Sequence, residues 1–97
     1  MSGPEPVVYY SGQAAETLDK IEADPAAVDL WNALCDTLDL IIDHPDSAPA
    51  RRTALRTATG TTVWQVTVRV PRETDDWAIL WHHDDTGRIL IAYIGRL

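Results

Sequence analysis

Cysteine, basic residues and long apolar runs are all scarce in this chain, and each shortage excludes a class of protein. One cysteine, Cys35, rules out an intramolecular disulfide framework and a metal site built from several thiolates. The uncharged apolar runs are a few residues long, far short of the roughly 20 that cross a bilayer. The start, Met1-Ser2-Gly3-Pro4-Glu5-Pro6, has neither the basic region nor the apolar stretch of a secretory signal. A cytoplasmic location with no membrane partner is therefore the expectation. No Gly-rich phosphate loop, Ser/His/Asp motif or paired-carboxylate signature occurs. No cofactor and no metal are expected.

What is present is one small acidic domain's worth of sequence. The chain has 97 residues, 8 Lys and Arg against 15 Asp and Glu, and a net charge of −7. That length fits a single domain over 1–97, with a disordered start over 1–6. An apolar fraction of 45% argues against disorder elsewhere. The charge is uneven: residues 1–48 hold one lysine and ten acids, whereas 49–97 hold seven arginines and five acids. A chain of this sign is repelled by nucleic acid at long range, so any such contact must come from a local basic patch. A basic protein partner suits it better.

The chain reads as two helices followed by strands. Val7-Val8-Tyr9-Tyr10 is β-branched and aromatic, which predicts a first strand. Ser11 is a helix N-cap, with Ala14, Leu18 and Ile21 at helical spacing over about 12–22. Asp24-Pro25 starts a second helix, whose apolar stripe is Ala27, Trp31, Leu34, Leu38 and Ile41. Asp29, Asp36 and Asp43, with Asn32 and Asp39, form its polar side. His44 and Pro45 end it. A short edge strand is expected around Ala54-Leu55-Arg56, broken by Gly60. Residues 62–70 alternate cleanly, with Trp64, Val66, Val68 and Val70 on one face and Val63, Gln65, Thr67 and Arg69 on the other. A strand over 77–83, the turn Asp84-Asp85-Thr86-Gly87, and a nearly all-apolar strand from Arg88 to Ile94 follow. That last strand should be central and covered. The order predicts an α+β two-layer sandwich, β-α-α-β-β-β, with two N-terminal helices on an antiparallel sheet.

Several side chains are candidates for chemistry. His82 and His83 are neighbours on a strand, so they point to opposite faces and cannot readily share a metal ion. Arg69, Arg72 and Arg88 could rim an anion site or pair with Glu73, Asp75, Asp76, Asp84 and Asp85. Arg51, Arg52 and Arg56 make a denser basic cluster and the better place for phosphate or an acidic partner; Arg96 adds to it. Tyr93 is a proton donor or stacking platform if it stands on an open face. Cys35 reads as a small buried hydrophobe.

With the strand Trp64-Gln65-Val66-Thr67-Val68, the run Asp76-Trp77-Ala78-Ile79-Leu80-Trp81-His82-His83-Asp84-Asp85 and the close Ile91-Ala92-Tyr93-Ile94-Gly95-Arg96-Leu97, this order resembles the RelE/ParE toxin superfamily over about residues 7–97. The resemblance implies a toxin of a type II toxin-antitoxin pair, bound by an antitoxin. It implies either metal-independent cleavage of mRNA on the ribosome or, in the ParE branch, inhibition of DNA gyrase. If the chain cleaves RNA, the candidate catalytic residues are Arg69, Arg72, His82, His83 and Tyr93. Positions that the nuclease branch fills with basic residues hold Gln65, Thr67 and Ala78 here, and the sequence ends at Leu97 without a basic tail. A non-catalytic protein-interaction module, or a degenerate toxin fold, is the alternative, and a homodimer is a further partner expectation.

Overall fold

The computed structural model describes residues 7–72 and 76–96. The start over 1–6, the acids Glu73 and Asp75, and Leu97 lie outside the described residues, so the expectations placed on them are not addressed. The elements are β1 (Val8–Tyr10), α1 (Gly12–Ala23), α2 (Val28–Asp43), β2 (Thr53–Arg56), β3 (Thr62–Val68), β4 (Trp77–His83) and β5 (Ile89–Arg96). Short 3₁₀ turns at Pro25–Ala27 and Pro49–Arg51 precede α2 and β2. The five strands form one sheet in the order β1-β5-β4-β3-β2. This is the expected α+β layout, with the expected short edge strand present as β2. No helix among the described residues is long and apolar enough to cross a membrane.

The sheet is mixed rather than wholly antiparallel, because β1 pairs parallel to β5 while the other pairs are antiparallel. Three side-chain and backbone groups explain how so short a strand holds its place. Beyond Tyr10 the Ser11 N–H donates to the Ile91 carbonyl (3.0 Å) and Ser11 Oγ donates to the Ala92 carbonyl (2.8 Å). Gln13 then clamps Ile94: its Nε2 donates to the Ile94 carbonyl (2.7 Å), and the Ile94 N–H donates to its Oε1 (3.0 Å). The side-chain amide acts as one more peptide unit on the edge of β5. Ser11 also caps α1, accepting from the Ala14 N–H at 3.1 Å.

The α helix expected from Pro25 begins three residues later, at Val28. Asp24 accepts from the Ala26 N–H (2.9 Å) and Pro25 opens a 3₁₀ turn, which puts Ala27 outside the α helix. The buried stripe is Leu30, Leu34, Leu38 and Ile41, with Trp31 half-buried beside it. An indole is seldom wholly buried, and the smaller Leu30 takes the inner position. Asp29, Asp36, Asp39 and Asp43 are all exposed on the outer side.

Both helices pack on one face of the sheet, against Val66, Val68, Ile79, Trp81, Ile89, Ile91 and Ile94. Val70, though past the end of β3, is buried with them. The last strand is longer than expected, reaching Arg96, and it is covered on one face only. A bulge explains its apolar run. Leu80 pairs with Tyr93 and Trp81 with Ile91, so Ala92 is skipped. Ile91 and Ile94 therefore both face the helices, an odd spacing that simple alternation forbids.

At one end of the core Trp81 is completely buried, and its Nε1–H donates to the Ala50 carbonyl (2.8 Å). Trp64 packs on it at 6.4 Å, and the Arg51 guanidinium lies 5.1 Å over the Trp64 ring. Cys35 is half-buried rather than buried. Its thiol is pushed above its ordinary value by desolvation, then by the Asp39, Asp36 and Glu22 carboxylates, so it is a poor nucleophile near neutrality.

Candidate functional site

The helices cover one face of the five-stranded sheet and leave the other uncovered among the described residues. One row of side chains crosses this open face from edge to edge. Leu55 pairs with Val63, His82 with Leu90, and Leu90 with Tyr9. Carrying the β3–β4 register one residue further joins Val63 to His82. The row is thus Leu55, Val63, His82, Leu90, Tyr9, one residue from each strand. A second row holds Thr53, Gln65, Leu80 and Tyr93. Leu55, Tyr9 and Tyr93 are among the exposed large hydrophobic residues of the chain.

Tyr93 lies along its own strand. A Cβ added at Gly95 would overlap the Tyr93 ring, so glycine leaves the room in which the ring rests. Beside Gly95, Ala78 is buried although it belongs to this face and not to the helix-side core. Small residues at 78 and 95 thus form the seat of an aromatic side chain.

At the β1 edge of the same face, Arg88 joins Tyr9 to the β4–β5 turn. Its guanidinium stacks 4.7 Å from the Tyr9 ring centre, its Nη1 donates to the Tyr9 hydroxyl (2.9 Å), and its Nε donates to Asp84 Oδ2 (2.7 Å). Asp84 Oδ1 also accepts from the N–H groups of Thr86 and Arg88, each at 2.9 Å, and from the Thr86 hydroxyl at 2.8 Å. Desolvation raises the Asp84 carboxyl, but these bonds, led by the Arg88 N–H, outweigh it and hold the group well below the usual carboxylate range. The sign follows directly. A depressed folded value contributes stability that is present above the unfolded value of about 3.9 and is lost as the pH falls through and below it. The wild-type chain is therefore expected to lose urea resistance between about pH 5 and pH 2 more steeply than Asp84→Asn, the two curves converging at the acid end. Parallel curves would show that the turn carboxylate makes no ionised contribution.

The sequence candidates are placed as follows. His82 is on the open face and His83 on the helix side, as expected of strand neighbours. His83 stands edge-on to Trp81 at 5.4 Å, and its Nδ1 donates to the Gly87 carbonyl (3.1 Å). Tyr93 shares the open face with His82 but sits in the next row. Arg72 is in the turn after β3, with a left-handed φ of 70°. Arg69 is exposed at the side of the molecule, where it lines a groove with Arg52, Thr37, Leu40, Pro49, Val66, Thr67 and Asp76. The structure therefore brings together only His82 and Tyr93 of the five candidate catalytic residues.

The basic cluster of the sequence, with Arg96 counted in it, divides four ways. Arg51 turns inward, over Trp64, with its Nη2 on Asp46 (2.8 Å) and its Nε on the Pro45 carbonyl (2.7 Å). Arg52 enters the side groove, and Arg56 is exposed at the far end of β2. Arg96 lies 5.8 Å over the Trp77 ring. Tyr9, Gln13 and Thr37 escape sequence reasoning, because their partners are either across the fold or in the groove. The Arg88–Tyr9 contact spans 79 residues.

Comparison with protein-family models, curated proteins and solved structures finds no match to the chain.

Proposed function

We propose that this chain is a RelE/ParE-like toxin-type domain that works by binding a protein and not by cutting RNA. The observation that carries this reading is the helix-free sheet face, whose middle is Gln65, Leu80, Ala78, Tyr93 and Gly95 instead of a cluster of cations. The helical hairpin between an edge strand and a meander supports the same kinship, being the layout that the resemblance implies. Metal-independent phosphodiester cleavage needs cations at the phosphate, and a proton acceptor and donor within reach of one reacting atom. Here Arg72 lies in a turn, Arg69 beside a lateral groove, and His83 is exposed at the end of β4 on the opposite sheet face. A net charge of −7 also opposes approach to ribosomal RNA. An apolar and aromatic face of this kind fits an antitoxin segment, and in the poisoned cell it fits a protein target such as DNA gyrase.

The test is induction in a bacterial host, following growth, primer extension on abundant mRNAs and plasmid supercoiling. The expected result is growth arrest without new cleavages inside codons, relieved by Leu90→Asp on the open face. Cleavages within codons would replace this reading with a ribosome-dependent nuclease. Unimpaired growth with soluble protein confirmed would remove the toxin part of it.

A further inference from the structure

The groove beside β3 has a property that its lining residues alone do not convey. Strand β2 covers the edge of β3 only as far as Gln65, the partner of Thr53. The phase of that pairing is fixed by the Thr57 N–H, which donates to the Thr61 carbonyl at 2.9 Å. Pairs two residues apart repeat this pattern, so Leu55–Val63 and Thr53–Gln65 also exchange their backbone bonds. Gln65 thus points its N–H and C=O toward β2, and so does Thr67, two residues on. Past Thr53 the chain has left the sheet for the 3₁₀ turn Pro49–Arg51. No described backbone group outside the sheet bonds to Thr67. The result is a short open stretch of strand edge on the floor of a groove of about 450 Å³, a size common for ligand sites. Thr37 and Leu40 of α2 form the opposite wall, Pro49 and Arg52 close one end, and Arg69 and Asp76 flank the other.

We infer that this groove binds the free carboxyl terminus of another protein, added as an extended strand antiparallel to the edge of β3 at Thr67. The polarity decides the ligand. A segment lying opposite Thr67 and Arg69 in the line of β2 and antiparallel to β3 runs in the direction of β2. Its leading end therefore meets Pro49 and Arg52, which bar further chain. The segment must end there, and the group at its end is a carboxylate facing a guanidinium. Its trailing end leaves past Asp76, which suits backbone N–H donors. The opposite direction would put an amino terminus against Arg52. Among the described residues the ion pairs are Lys20–Glu16, Arg51–Asp46 and Arg88–Asp84, so neither Arg52 nor Arg69 is held by a described acid. Main-chain pairing supplies affinity and the charged end supplies register, as in other strand-addition sites.

The probe is a sequence-degenerate pool of N-acetylated pentapeptides with free carboxyl termini, set against the same pool amidated. Each is passed over the immobilised full chain, and retained peptides are titrated by NMR against the labelled protein. The free-acid pool is expected to be retained and to shift the amide resonances of Thr67 and Arg69. Amidation of a retained peptide, or Arg52→Ala, should weaken it at least about tenfold, as loss of a charge-assisted bond does. Arg56→Ala, outside the groove, should change nothing. Thr67→Pro removes the open N–H while leaving the β4 ladder, and it should abolish the shifts if its spectrum remains dispersed. Retention of neither pool, equal retention of both, or shifts confined to Tyr9, Leu90 and Tyr93 would each overturn the assignment. This site is separate from the open sheet face, so its failure leaves the proposed function untouched.

Discussion

Trp81→Ala is expected to cost about 4 kcal/mol and to leave a large part of the chain unfolded in mild denaturant. The side chain is completely buried on the sheet's helix side. Removing a buried indole forfeits its transfer energy and leaves a cavity that the surrounding isoleucines fill only in part. It also strands the carbonyl of Ala50, itself fully buried, which now accepts from the indole N–H. Domains of this size are stable by only roughly 5–15 kcal/mol in total, so the loss is a large share. Trp81→Phe separates the two contributions. It keeps most of the ring and breaks only the hydrogen bond, for an expected loss of about 1–3 kcal/mol. Urea melts followed by circular dichroism measure both, and far-ultraviolet detection avoids the signal of the other three tryptophans. Equal losses in the two variants would show that the bond to Ala50, and not the packing, carries the effect. Because that bond tethers the Pro49–Arg51 turn, both variants should also loosen the closed end of the groove beside β3.

Gln13→Ala should cost about 2 kcal/mol, although the residue is on the surface. Its amide meets both backbone groups of Ile94, and these have no strand neighbour there because β1 ends at Tyr10. Loss of the side chain leaves the N–H and C=O of Ile94 without protein partners at a part-buried edge. Gln13→Glu is the sharper variant. At neutral pH it can still accept from the Ile94 N–H, but its second oxygen opposes the Ile94 carbonyl. It should be no better than alanine at pH 7 and should recover as the carboxyl protonates and can donate again. Amide hydrogen exchange at Ile94 supplies a local readout, expected to accelerate in Gln13→Ala. Unchanged exchange at Ile94 would mean that the clamp does not protect the strand, whatever the global stability does.

Much of the architecture follows from short-range signals. Ser11 caps a helix because its hydroxyl reaches the Ala14 N–H, a contact within three residues. Asp84 and Gly87 form the turn because the carboxylate bonds its own neighbours and Gly87 adopts a φ of 83°. The alternation from Thr62 to Val68 puts Trp64, Val66 and Val68 on one face of the strand for the same local reason. Where reading failed, the cause was a choice between two local options of similar cost. Pro25 can open an α helix or a 3₁₀ turn, and Asp24 capping Ala26 selects the turn. The apolar run of β5 concealed a bulge, since isoleucine at 91 and 94 fits either a doubly covered strand or a strand that skips a residue.

The candidate surfaces were less legible, for a different reason. Tyr93 and His82 were visible as residue types, but which sheet face the helices would cover is settled by packing, not by alternation. The sequence shows three arginines at 51, 52 and 56 as one cluster, yet a one-residue step turns Arg51 onto two tryptophans and Arg52 into the groove. Spacing cannot show that β2 stops short of Thr67, because that depends on where another strand ends.

By itself, then, the amino-acid order determined the element types, the turn chemistry, the acidic outer side of α2 and the opposed directions of the two histidines. All of these rest on interactions within a few residues. Only the tertiary structure decided the parallel placement of β1, the clamp of Gln13 on Ile94, the Arg88–Tyr9 contact and the two uncovered surfaces. The first three depend on groups about 80 residues apart in the chain meeting at one edge of the sheet, and the uncovered surfaces on where the helices and β2 come to lie, and nothing local in a sequence encodes such meetings.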